Sequence, residues 1–330
     1  MKLRSNVGLW LIFALSSLRM VQADDDPGLS KLLQPLIVAH QGTVSVAVEF
    51  LPTGASFSHR DAEAMPTASL IKFPVMIAAY QKAADGKLDL TSQITLRTED
   101  KVPGSGILTD HFSAGMQLSV RDAIRLMIVY SDNTATNLVL DQIGIPATSD
   151  LMARSGFPET RLNSKVYRGD TSIAPERSKQ FGLGSTTCRD MIKLLKQLDR
   201  RELVSADASQ QMYEHLLACD DKRRLDKFLP AKTKVALKTG AVSASRTVAG
   251  IIESPAGKIA VCVLTSNNKD QSWGDDNAAQ ILSAEIAQRA FRYFNPEAAT
   301  DSSTPAGFPE ELSQGTTGEL VEALQRTLNK

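Results

Sequence analysis

Cysteine, aromatic residues and net charge are all scarce in this chain of 330 residues. Its three cysteines, Cys188, Cys219 and Cys262, share no C-x-x-C spacing, which argues against a structural zinc site and a disulfide scaffold. Lys plus Arg and Asp plus Glu both number 37, so no basic excess points to nucleic acid. Four histidines (His40, His59, His111, His215) are scattered without metal-ligand spacing. H-E-x-x-H, a phosphate-binding P-loop, the dinucleotide G-x-G-x-x-G and the G-x-S-x-G elbow are all missing, and no internal repeat is evident. What is present, 42% hydrophobic and 22% charged residues, is ordinary globular composition with room for one large domain or two small ones.

Long apolar runs are missing as well, except at the start. Lys2 and Arg4 precede an apolar stretch from Val7 to Leu18, too short to span a bilayer comfortably and followed by Arg19. Val21-Gln22-Ala23 then offers the small residues that a signal peptidase reads, so residues 1–23 read as a secretory signal and the mature protein as exported, periplasmic or secreted. An uncleaved anchor is the competing reading. Cleavage leaves 34 basic against 37 acidic side chains, a net charge of −3. No stable membrane span is expected after cleavage. Cys188 and Cys262 lie in apolar surroundings and read as buried free thiols.

Along the rest of the chain, alternation in Thr43–Phe50 followed by Pro52-Thr53-Gly54 predicts a hairpin. The stretch from Ala68 to Ala84 is apolar nearly all round and predicts a buried helix, with Pro74 either kinking it or sitting in an early turn. Ser119 and Asp122 predict a capped helix to Tyr130, and a second runs from Thr134 to Ile143. Phe157 to Gly184 shows no sustained period and reads as a long functional loop. Helices to Arg200 and over Ala206–Cys219 follow, then strand runs at Val235–Thr239, Thr247–Glu253 and Lys258–Ser266, and a long helix ending at Phe294. Strands segregated from helices predict an α+β or three-layer α/β/α arrangement, with the early and late strands in one sheet.

Three short clusters carry chemistry. Ser69 and Lys72 stand one turn apart at the start of the buried helix, where burial lowers an amine's pKa and lets it take a proton from the hydroxyl. A snorkelling surface lysine is the bland alternative. Ser131-Asp132-Asn133 sits between two helices, where it can cap the second or turn a hydroxyl and an amide into a cleft. Lys238-Thr239-Gly240 ends a strand and offers a cation, a hydroxyl and a position without Cβ that lets a ligand backbone approach.

Together these clusters resemble the penicillin-recognising serine enzymes, and class A β-lactamases in particular, for which S-x-x-K, S-D-N and K-T-G are the known set. The resemblance covers residues 36–294, leaving 24–35 as a lead-in and 295–330 as a linker with a short amphipathic segment. It implies a five-stranded antiparallel sheet flanked by helices beside a mostly helical lobe. It implies Ser69 as nucleophile, Lys72 as base, Ser131 as proton relay, Asn133 holding the substrate's side-chain amide, and Lys238 and Thr239 meeting its carboxylate. Arg246 adds a second positive charge, and the backbone N–H groups of Ser69 and Ala241 form the oxyanion hole. The implied substrate is a small-molecule β-lactam or a peptidoglycan stem peptide, with no metal or organic cofactor. One departure stands out. Read from Thr160 onward, the loop shows no Glu where class A enzymes carry E-x-x-L-N, which leaves Glu176 or Asp170 to fold back toward Ser69. Alternatives are therefore a DD-peptidase with slow deacylation, a non-catalytic penicillin-sensing or wall-binding protein, and a serine glutaminase.

Overall fold

Period-2 alternation in the strands decides which side chains meet which layer. The computed structural model describes residues 25–297. The expected signal and most of the expected tail lie outside them. Asp26 caps the first helix, α1 (Pro27–Ala39), by accepting from the Leu29 N–H, with Pro27 in the first turn. This replaces the lead-in expected at 24–35, because Leu29, Leu33 and Ile37 form a buried stripe. The hairpin β1 (Thr43–Phe50) and β2 (Ser56–His59) follows, as the alternation predicts.

A short strand, β3 (Met65–Pro66), leads into a 3₁₀ turn over Ala68–Ile71 and then α2 (Lys72–Ala84). Ser69 thus stands in the tight turn and Lys72 opens the α-helix. Pro74 falls in the first turn of α2, where its missing N–H costs nothing. Next come β4 (Gln93–Thr95), α3 (Leu108–His111), β5 (Gln117–Ser119), α4 (Val120–Val129), α5 (Asn133–Ile143) and α6 (Pro146–Arg154). Ser119 caps α4 and Asp132 caps α5.

The segment read as a loop carries β6 (Arg161–Leu162), α7 (Pro175–Phe181) and β7 (Gly184–Thr186). Pro175 at the start of α7 and Gly182 just past its end, at φ +65°, bracket that helix. Then follow α8 (Cys188–Asp199), α9 (Ala206–Leu217), β8 (Val235–Val242), β9 (Ser245–Ser254), β10 (Gly257–Ser266) and α10 (Ala278–Phe294). The compact unit closes at Asn295.

The five-stranded sheet is antiparallel, in the order β2-β1-β10-β9-β8. Val46, Val48, Val261, Val263 and Leu237 face one core with Leu29, Leu33, Ile286 and Phe291 of α1 and α10. Ala47, Ala260, Cys262, Ala249 and Ala236 face the other, beneath α8 and the helical lobe. Each fully buried Val, Leu or Ile stabilises by about 1.5–3 kcal/mol. Small residues on the second face let the helices approach closely. The same parity puts Lys238 on the face of Ala236, turned toward the helical lobe. Among the described residues, no helix is long and apolar enough to cross a membrane.

Candidate active site

Edge strand β8 lies along the 3₁₀ turn that carries Ser69, and Gly240 makes that approach possible. A Cβ there would sit 2.3 Å from the Thr67 carbonyl oxygen and 2.7 Å from the Leu70 nitrogen. Beside the expected room for a ligand, Gly240 therefore meets a second requirement: its close neighbour is the protein's own nucleophile turn. Thr247 pins the same junction by donating to the Thr67 carbonyl at 2.7 Å. Ala68 and Ser131 both hold left-handed backbone, at φ +46° and +51°. Such strain costs on the order of 1–3 kcal/mol per residue and collects at functional sites.

Lys72 is completely buried. Its Nζ donates to the Ser131 carbonyl at 2.6 Å and to Asn133 Oδ1 at 2.8 Å, with Ser131 Oγ at 3.3 Å. Burial first, and then the neighbouring Lys238, push its pKa well below the ordinary lysine value, against an opposing pull from Asp132. A neutral amine has two N–H donors and a lone pair. The two short bonds use the donors and leave the lone pair to face the Ser131 hydroxyl at 3.3 Å. Lys238, also buried and depressed in pKa mainly by burial, donates to Ser131 Oγ at 3.0 Å and to the Thr239 carbonyl at 2.8 Å. The Ser131 hydroxyl thus links two amines. Ser69 is half-buried and lines the same cavity, and its hydroxyl has no hydrogen bond to another described residue.

The cavity measures about 1050 Å³ and brings together Ser69, Ser131, Asn133, Thr239, Gly240 and Ala241. Asp132 does not point into it. Its carboxylate accepts from the N–H groups of Ala135, Ile107 and Leu108, tying α5 to the glycine turn at Gly104–Gly106. That turn lines the cavity. Ser105 donates to the Ser131 carbonyl at 2.8 Å, and Asn133 Nδ2 donates to the Pro103 carbonyl at 2.9 Å.

The structure revises the loop residues. Glu176 is 85% exposed and paired with Lys179 at 2.8 Å on the outer face of α7; Asp170 is exposed as well, and neither lines the cavity. Nor is the E-x-x-L-N spelling missing: Glu159-Thr160-Arg161-Leu162-Asn163 supplies it one residue before the reading began. Glu159 is nevertheless 46% exposed, pairs with Arg177 at 3.2 Å and stays outside the cavity lining. The loop reaches the cavity at Ser178, at residues 181–183 and through residues 164–169, where Val166 is clasped by Asn137: its N–H donates to Oδ1 at 2.8 Å and its carbonyl accepts from Nδ2 at 3.0 Å. No carboxylate lines the loop side.

Arg246 lines the cavity, but its guanidinium is taken up by the carbonyls of Val242, Ser243, Ser245 and Ser272 and stacks on Trp273, 4.7 Å from the ring centre. A second buried arginine, missed in the sequence, is also fastened to the Lys238-Thr239-Gly240 strand. Arg224 donates to the Gly240 carbonyl at 2.9 Å and the Thr247 carbonyl at 2.6 Å, and burial lowers its pKa to about 10. Tyr167 and Trp273 form an exposed aromatic rim that was also missed. Among the described residues, no group of three or more His, Cys, Asp or Glu side chains is placed to hold a metal ion.

Comparison with known proteins gives a consistent picture. Residues 28–294 match the β-lactamase enzyme family. A β-lactamase of Streptomyces cellulosae is 34% identical over 143 residues, which is 42% of this chain and 45% of that protein. The extended-spectrum β-lactamase PER-1 of Pseudomonas aeruginosa is 22% identical over 305 residues, covering 87% of this chain and 96% of its own. The structure of a β-lactamase from Sphaerobacter thermophilus superimposes with a TM-score of 0.72 at 28% identity, covering 81% and 98% of the two chains. PBP-A shares the fold at a TM-score of 0.69 and 22% identity, covering 81% and 97%, and a PBP-A variant is known as an acyl-enzyme complex with penicillin G.

Proposed function

Since the chain belongs to the β-lactamase enzyme family, whose members are serine amide hydrolases, we propose that β-lactams acylate it at Ser69 and that hydrolysis of the acyl-enzyme completes a slow β-lactamase cycle. The observation that carries this reading is the Ser131 hydroxyl held between the amines of Lys72 and Lys238. Ser69 Oγ attacks the lactam carbonyl and its proton passes to neutral Lys72. The developing oxyanion lies against the backbone N–H groups of Ser69 and Ala241. As the C–N bond breaks, Ser131 gives its proton to the leaving nitrogen and regains one from Lys72, so protons balance and Ser69 is left as an ester. Water then cleaves the ester. Asn133 remains the contact for the acyl side-chain amide, and Lys238, Thr239 and Arg224 meet the substrate carboxylate. Arg246 adds positive charge from behind.

The bare loop side favours a second reading of the same chemistry. With no carboxylate there to activate water, an acyl-D-Ala-D-Ala stem peptide is the substrate of a DD-peptidase, and penicillin is its lasting acylating agent. Both substrates place the protein outside the cytoplasm, in keeping with residues 1–23. Mixing the protein with a chromogenic cephalosporin tests the first reading, with mass spectrometry of the Ser69 peptide alongside. Acylation with measurable steady turnover is expected. Acylation without turnover, together with D-Ala release from a diacylated peptide, shifts the assignment to the peptidase. No covalent adduct at Ser69 overturns both.

A further inference from the structure

The carboxylate subsite already contains a carboxylate. Asp221, on the link between α9 and β8, lines the cavity with its side chain 17% exposed. Its Oδ1 accepts from Arg223 Nε at 3.0 Å and from the Arg223 N–H at 3.3 Å, and Oδ2 lies 3.8 Å from Arg224 Nη2. The Thr239 hydroxyl lies on the same side and favours its charged form. Two of these neighbours, Thr239 and Arg224, are groups that a substrate carboxylate needs. Arg224 is 1% exposed and its Nε has no partner. Its cationic head, fastened by Nη1 to the Gly240 and Thr247 carbonyls, can meet an anion only on the side that Asp221 now fills.

We infer that Asp221 is a resident anion in the carboxylate subsite, which an incoming substrate carboxylate must displace, and that it sets specificity by lowering the advantage of anionic substrates over neutral ones. This rests on the acyl-enzyme reading above and deepens it. Two carboxylates cannot share Thr239 and Arg224 without strong repulsion in a partly desolvated cleft, so the substrate gains only the difference between its own contacts and those of Asp221. Arg224 and Arg223, with a smaller contribution from the Thr239 hydroxyl, hold the Asp221 carboxyl below the ordinary aspartate range despite its burial, which keeps it charged.

The experiment replaces the resident anion with one from solution. Melting temperatures of the wild type and Asp221→Asn are compared in sulfate and in chloride at equal ionic strength, and benzylpenicillin labelling of Ser69 is followed on the same samples. Asp221→Asn leaves Arg224 buried without a counter-charge and melts lower in chloride. Sulfate at about ten times its dissociation constant should return about 3–5 °C to this variant and leave the wild type within 1 °C. Adding Arg224→Leu should abolish the sulfate effect. Labelling of Asp221→Asn by benzylpenicillin, which carries a carboxylate, should be about tenfold faster than wild type, with labelling by its methyl ester unchanged. Equal sulfate shifts in the two proteins, or a shift that survives Arg224→Leu, overturn the inference. If Asp221→Asn does not fold in chloride, its refolding yield in sulfate decides: recovery supports a resident anion and continued failure refutes it. Absence of any label in every protein defeats the acyl-enzyme reading instead, and the sulfate result still judges Asp221.

Discussion

The two walls of the cavity are built to different standards. On the wall formed by α2, the α4–α5 junction and β8, Lys72, Ser131 and Lys238 are linked by hydrogen bonds of 2.6–3.3 Å, and Lys72 and Lys238 are buried. On the facing wall, residues 164–169 present Val166 and Tyr167, while Glu159 and Glu176, before and after them in the chain, are paired outside the cavity. On the reading proposed above, the first wall forms the ester and the second offers no carboxylate to speed its hydrolysis. The difference separates two half-reactions that share a nucleophile, and each half can be disturbed without the other.

The largest effect should come from the organised wall. Lys72→Ala removes the base and the anchor of Ser131 together, and acylation should fall about 10²–10⁴-fold, read as the rate of benzylpenicillin incorporation. A loss below tenfold would mean that another group takes the Ser69 proton. The same amine gives the wild type its pH dependence. Acylation needs neutral Lys72, so its rate should climb with pH and level off well below 10.5, the ordinary lysine value. Stability carries the matching sign. Folding holds fewer protons at Lys72 than the unfolded chain, so stability is lost as pH falls from 10.5 toward the depressed folded value, and is flat below it. An acylation rate that shows no rise with pH over the whole range in which the protein stays folded would exclude Lys72 as the base.

Val166→Glu sharpens the comparison from the other side. Asn137 clasps the backbone at this position from both sides, so a carboxylate placed there enters the cavity on a held frame. Deacylation should rise about 10–100-fold with acylation little changed, seen as a larger steady rate after the cephalosporin burst. An unaltered steady rate in a folded variant would show that a carboxylate is not what this wall lacks. Gly240→Ala is next in size. A methyl group 2.3 Å from the Thr67 carbonyl oxygen forces β8 off the nucleophile turn, with an expected loss of about 1–3 kcal/mol in stability and of most acylation. Denaturant unfolding and penicillin labelling measure the two.

The sequence disclosed the organised wall far better than the bare one, for physical reasons. Ser69, Lys72, Ser131 and Lys238 sit at the ends of periodic elements, and the alternation of β8, β9 and β10 puts Lys238 on the lobe side without knowledge of any contact. Arg224 left no such trace, because its role comes from carbonyls 16 and 23 residues away. Two misses were legible in principle. Asp26 and Pro27 announce α1, and Pro175 and Gly182 announce α7, but each helix is overshadowed by the irregular stretch around it. Glu159 misleads in the opposite direction: it has the right spelling on the wrong side of β6, and only the pairing with Arg177 shows that it faces outward.

The smallest predicted effect is also the one that tests the comparison most directly. Glu159→Gln, Asp170→Asn and Glu176→Gln should each change steady-state turnover less than about twofold, since exposed ion pairs such as those of Glu159 and Glu176 contribute about 0–1 kcal/mol and none of the three side chains lines the cavity. Their stabilities should move just as little. A tenfold fall in deacylation for any one of them, with acylation intact, would mean that residues 157–184 rearrange in the acyl-enzyme and bring that carboxylate to the ester. The bare wall would then be a property of the free enzyme alone, and the argument for slow turnover would pass from composition of the cavity to the cost of moving the loop.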